Sequence, residues 1–136
     1  MTMKEFAKLL SGREYGMEIS KDEEQQAADA GLVVAYGCSD DNVELRGAID
    51  EEVGAYEGGT ICLTKTGIFE EPDCSCTEAC PFYSAALKAA KTIKAVWHNE
   101  GGPCWTFETN IPHEVFNIYE DGELFCVGIV FSTEDL

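Results

Sequence analysis

LVVAYGCSDDNVELRGAIDEEVGAY, residues Leu32–Tyr56, joins two strand patterns through an acidic turn. Leu32, Val33, Val34, Ala35 and Tyr36 form an apolar run bounded by Gly31 and Gly37, which predicts a buried strand. Ser39, Asp40, Asp41 and Asn42 are turn formers, because their short polar side chains hydrogen-bond the nearby backbone. Val43, Leu45 and Gly47 then alternate with Glu44 and Arg46, the period of a strand with one buried face. The unit predicted is a β-hairpin with carboxylates at its tip and base.

Outward from this hairpin, the N-terminal side predicts two helices. Thr2 with Glu5 and Ser20 with Glu23 have capping-box spacing, and Gly12 and Gly31 are suited to end the helices they open. Phe6, Leu9 and Leu10 fall on one face of the first. The second offers only Ala27, Ala28 and Ala30 for burial, so it belongs on the surface; Arg13–Ile19 reads as a connector. On the C-terminal side, Thr60–Thr64 reads as a strand. Phe82, Ala85, Ala86, Ala89, Ile93, Val96 and Trp97 predict a long helix from Pro81 through His98, with Lys88, Lys91 and Lys94 opposite. Strands follow at Cys104–Thr109, Val115–Tyr119 and Glu123–Phe131, the last two joined by the hairpin signal Asp121-Gly122. The expected fold is α+β, one domain over residues 1–136: a mainly antiparallel sheet of five or six strands with about three helices packed on it.

Composition narrows the function classes. Hydrophobic residues make up 45%, enough for a packed core, so general disorder is not expected. With 26 acidic and 9 basic residues the net charge is -17, which opposes direct contact with nucleic acid or an anionic membrane. Either the charge serves solubility or it attracts a basic protein partner. No apolar run approaches the ~20 residues that a bilayer requires, and the N-terminus lacks a signal-peptide core, so the expectation is a soluble cytoplasmic protein.

Three constellations carry candidate chemistry. Cys74, Cys76 and Cys80 offer thiolates for zinc, with His98, Cys104 or His113 as a fourth ligand, although CxC is tighter than the usual paired spacing. The seven cysteines are an odd number and read as free thiols, with Cys62 and Cys126 inside apolar strand patterns. His113, Glu114 and Cys104 sketch a small enzyme or ligand-binding pocket rimmed by Trp97 or Trp105. The plainer reading of His113 is a turn histidine bonded to backbone, and of His98 a cation at the helix's negative end. Asp40, Asp41, Glu44, Asp50, Glu51 and Glu52 form an acidic edge that offers a binding surface, does not follow a calcium-loop pattern, and has Arg46 in its midst. Gly58-Gly59 and Gly101-Gly102 lack the lysine and helix start of a phosphate loop, so no cofactor is assigned beyond the zinc alternative.

Ser39–Tyr56, Ala90–Trp97 and WTFETNIPHEVFNIYEDGELFCVGIVF (Trp105–Phe131) resemble a group of small acidic proteins of clostridial-type gut bacteria and their prophages. That group has no established activity, so no catalytic residue carries over. The resemblance implies a bacterial or phage intracellular setting, in which small acidic proteins often act by binding other proteins. The expected function is a non-enzymatic binding or regulatory domain that engages a basic protein partner. The alternatives are the His113 pocket and the zinc-stabilised domain.

Overall fold

A computed structural model describes residues 1–37, 43–49, 88–89 and 91–136. Its elements run α1 (Met3–Leu10), β1 (Arg13–Glu14), α2 (Lys21–Asp29), β2 (Leu32–Gly37), β3 (Val43–Gly47), β4 (Ile93–Trp97), β5 (Trp105–Thr109), β6 (His113–Glu120) and β7 (Glu123–Ser132), with a final 3₁₀ turn at Thr133–Asp135. Five strands form one sheet in the order β1-β6-β7-β2-β3, and β4 pairs with β5 in a second sheet. Every pairing is antiparallel except β1 with β6, where Arg13 lies opposite Ile118. The fold is therefore α+β with a mainly antiparallel sheet, as the sequence predicts, but its strands divide between two sheets.

Both predicted capping boxes form. Thr2 accepts from the Glu5 N–H and Glu5 reaches back to Thr2, and Ser20 and Glu23 repeat the exchange for α2. Each cap satisfies amide groups that the first helical turn leaves without partners, worth about 1 kcal/mol. Phe6, Ala7 and Leu10 bury one face of α1, whereas α2 buries only Ala27.

The opening hairpin also forms, with Val33 opposite Gly47 and Gly37 opposite Val43. All six residues of β2 are buried, while β3 alternates, because β2 lies inside the sheet and β3 at its edge. At the second hairpin, Asp121 and Gly122 both take positive φ, 51° and 81°, the conformation of a two-residue turn that matches strand twist. Space in the core is also made by glycine. A Cβ on Gly128 would lie 2.1 Å from Phe116 Cζ, its cross-strand partner, and one on Gly37 would lie 2.1 Å from Trp105 Cδ1.

The expected helix Pro81–His98 is overturned at its C-terminal end. The predicted helix Pro81–His98 does not reach His98: residues 88–89 and 91–92 are helical, but Ile93–Trp97 is β4. Ile93 and Ala95 are buried and Lys94 is exposed, which is period 2. Spacings of three and four between Ile93, Val96 and Trp97 fit a helix equally well on paper. Pairing with β5 decides the matter, placing Trp97 opposite Trp105 with ring centroids 5.2 Å apart in an edge-on contact. This second sheet is tied to the first where β2 stops pairing. The β2–β7 register ends at Ala35 and Ile129, and further along β7 the Phe125 carbonyl accepts from the Cys104 N–H at 2.8 Å. The predicted strand Thr60–Thr64 and Cys62 lie outside the described residues; Cys126 is fully buried, as expected of a small core residue. Among the described residues no helix is long and apolar enough to cross a membrane.

Candidate functional site

The segment between α1 and α2 is more than a connector. Gly12, Arg13, Glu14 and Tyr15 run alongside β6, where β1 forms the sheet's edge, with Gly12 N–H donating to the Asn117 carbonyl and Tyr15 N–H to the Tyr119 carbonyl. The chain then turns: Met17 N–H donates to the Glu14 carbonyl, and Gly16 takes a φ of 92°. This turn folds Glu18 inward. Glu18 is only 8% exposed, a buried carboxylate at the mouth of α2.

Glu18 faces a cleft of about 360 Å³, lined also by Tyr15, Gly16 and Ile19 from the same segment and by Tyr36, Glu44 and Arg46 from the opening hairpin. The hairpin's register explains its side. Tyr36 lies opposite Glu44, and Val34 opposite Arg46, so the strand alternation puts Tyr36, Glu44 and Arg46 on one face. Tyr36 donates its hydroxyl to Glu44 Oε2 at 2.6 Å, and Arg46 Nε reaches the same oxygen at 3.3 Å. Arg46 also pairs with Glu24 of α2 at 3.7 Å. Burial first, and then the bond to Glu44, push the Tyr36 phenol well above its ordinary pKa; the negative charge of Glu18 adds to the rise. Tyr36 therefore stays neutral, with its proton committed to Glu44.

Behind the cleft an ion pair holds the segment in place. Arg13 Nη1 and Nη2 bond Glu23 Oε1 and Oε2, each at 2.5 Å, and Nη1 also donates to the Glu18 carbonyl at 3.3 Å. The Arg13 hydrogen bonds hold the Glu23 carboxyl well below its ordinary range, at about 2. Glu18 itself is bonded differently. Its Oε1 accepts from Gly16 N–H at 2.8 Å, and among the described residues no cation lies within ion-pair distance of it and Oε2 has no hydrogen bond. Among the described residues the lining thus carries the carboxylates of Glu18 and Glu44; Arg46 is shared between Glu44 and Glu24, and Glu18 has no ion pair.

The residues singled out from sequence are distributed otherwise. Glu44 is in this cleft, but Asp40, Asp41, Asp50, Glu51, Glu52, Cys74, Cys76 and Cys80 lie outside the described residues. Among the described residues no group of three His, Cys, Asp or Glu side chains is placed to hold a metal. Trp105 is fully buried, enclosed by Trp97 and the backbone at Gly37. His113 Nδ1 bonds the Ile111 carbonyl at 2.9 Å. His98 follows a strand, not a helix, so it meets no helix dipole; its Nε2 bonds Thr106 Oγ1 at 2.7 Å.

Cys104 and His113 do not converge. Cys104 is bonded at Phe125 and His113 lies opposite Phe131, so the two are separated by most of β7. At the rise of a strand that is about 20 Å. His113 and Glu114, as strand neighbours, point to opposite faces. The structure does not bring the pocket sketched from His113, Glu114, Cys104 and Trp105 together.

Sequence reasoning missed Glu18, Tyr15 and Tyr36. Nothing in GMEIS marks a glutamate for burial, since that burial depends on β1 docking on a strand about a hundred residues away. The Tyr36–Glu44 pair was within reach: once the hairpin register is set, the two are cross-strand partners. No known protein family, curated protein or solved structure matches the chain.

Proposed function

We propose that the protein is a non-enzymatic binding domain that engages a basic protein partner, and that the cleft between Glu18 and the opening hairpin is where it does so. One observation carries the reading: a glutamate that is 8% exposed, lining an open cleft, with no cation of the described residues within ion-pair distance of it. A buried charge without a partner is costly, whereas a partner's cation placed against it in a dry site is strongly held.

The surroundings suit docking. Tyr15 is half-exposed on the rim, and Met17 in the same turn is 72% exposed. Apolar groups around a charged centre exclude water and sharpen its attraction, as at the hot spots of protein interfaces. The overall charge of -17 adds long-range steering of a basic partner. The described lining residues include no histidine or cysteine, and the Tyr36 proton is tied to Glu44, so they offer acceptors and charge more than acid–base chemistry.

Titration with short basic and acidic peptides at low and high salt tests the reading. Basic peptides are expected to bind saturably, with affinity falling as salt rises, and acidic peptides not to bind. Failure of every basic peptide to bind at low salt would refute it.

A further inference from the structure

The cleft's chemistry specifies more than positive charge. We infer that it receives one guanidinium group, an arginine side chain of the basic partner; this rests on the reading of the cleft as the partner-binding site.

The described lining carries an excess of negative charge, which suits a cation. Among the described lining residues Arg46 is shared between Glu44 and Glu24, the Tyr36 phenol is held neutral by burial and its bond to Glu44, and Glu18 has no ion pair. The acceptors are spread among different groups. Among the described residues Glu18 Oε2 has no hydrogen bond, and the hydroxyl of buried Tyr36 donates its hydrogen bond to Glu44 and keeps its oxygen lone pairs as acceptors. An ammonium is a compact, strongly hydrated point charge that would leave some of these acceptors short. A guanidinium is planar and weakly hydrated, and its five N–H donors fork toward several acceptors at once. It also stacks on an aromatic face. Tyr15 supplies one at the rim, its ring braced by Phe125 at a centroid distance of 4.5 Å. About 360 Å³ accommodates one long side chain but not a folded segment of partner.

The opposing explanation is that Glu18 only fastens the turn at Gly16. Probe molecules separate the two: Nα-acetyl amides of arginine, lysine and citrulline, titrated into ¹⁵N-labelled protein while the Gly16 and Met17 amide resonances are followed. The Gly16 N–H is bonded to Glu18 and therefore reports directly on it. The arginine amide is expected to shift both resonances saturably at about millimolar concentration, as suits so small a ligand. The lysine amide should bind about threefold or more weakly, and neutral citrulline amide should produce no saturable shift. Glu18→Gln, whose amide oxygen still accepts from Gly16, should weaken the arginine amide about tenfold or more.

Equal affinity for lysine and arginine amides would overturn the guanidinium assignment and leave a general cation site. Basic peptides that bind while the arginine amide leaves Gly16 unmoved would overturn the cleft's role here and leave the basic partner standing. Absence of binding by amides and peptides alike would end both. An unchanged arginine-amide affinity in Glu18→Gln would reduce Glu18 to a turn fastener.

Discussion

Replacing Glu23 by Gln removes the ion pair that anchors the cleft's wall, and its cost can be followed through pH. In the folded protein the Arg13 guanidinium holds the Glu23 carboxyl at about 2, against an ordinary value of 4.5. A carboxyl whose folded pKa is depressed binds fewer protons folded than unfolded between those two values. Its stabilisation is therefore complete above about pH 4.5 and drains away as pH falls toward 2. A shift of that size corresponds to about 3 kcal/mol if unscreened. Arg13 and Glu23 retain 25% and 14% of their side-chain exposure, and solvent screening reduces the expected contribution to about 1–2 kcal/mol. The bidentate geometry keeps it above the value of an ordinary surface pair. Urea unfolding of the wild type and Glu23→Gln at a series of pH values provides the assay. The variant should be less stable by about 1–2 kcal/mol at pH 7, and the gap should narrow steadily below pH 4.5. A gap as large at pH 3 as at pH 7, or none at neutral pH, would refute the linkage.

Three further outcomes are expected. Gly37→Ala must push against Trp105 Cδ1, Cγ and Cβ, atoms close to that residue's backbone, and should cost about 2–3 kcal/mol in thermal or urea unfolding. Gly102→Ala, with nothing within 4 Å, should change stability by less than about 0.5 kcal/mol; similar effects at both sites would contradict the packing described. Tyr36→Phe should flatten the alkaline stability profile. The raised phenol pKa means that Tyr36 favours the folded state below its ordinary value of 10 and loses that contribution as pH rises further, so the wild type should fall more steeply than the variant above pH 10. Identical alkaline profiles would show that Tyr36 is not buried against Glu44.

What was legible in the sequence was local or strictly periodic. The Thr2 and Ser20 caps, the Asp121-Gly122 turn and the alternation at Val43–Gly47 each follow from a few neighbouring residues, and each is found as expected. Ile93–Trp97 was misread because five residues satisfy both periods, and a distant partner, Trp105–Thr109, selects the strand. The parallel pairing of β1 and the burial of Glu18 were illegible for a related reason. Both depend on contact between segments far apart in the chain, and a glutamate in a polar loop carries no mark of its final depth. Attention to acidic clusters found Glu44, whose importance comes from its cross-strand tyrosine more than from its acidic neighbours.

The claim that a basic partner is held at the cleft, and not by diffuse charge, is tested most directly by one calorimetric comparison. Affinity for a short arginine-containing basic peptide is measured for the wild type, Glu18→Gln and Glu14→Gln. Each variant removes one of 26 acids, so diffuse attraction predicts equal, small losses. The cleft predicts a loss of about tenfold or more for Glu18→Gln and less than about twofold for exposed Glu14→Gln. Equal affinities in the two variants would contradict it.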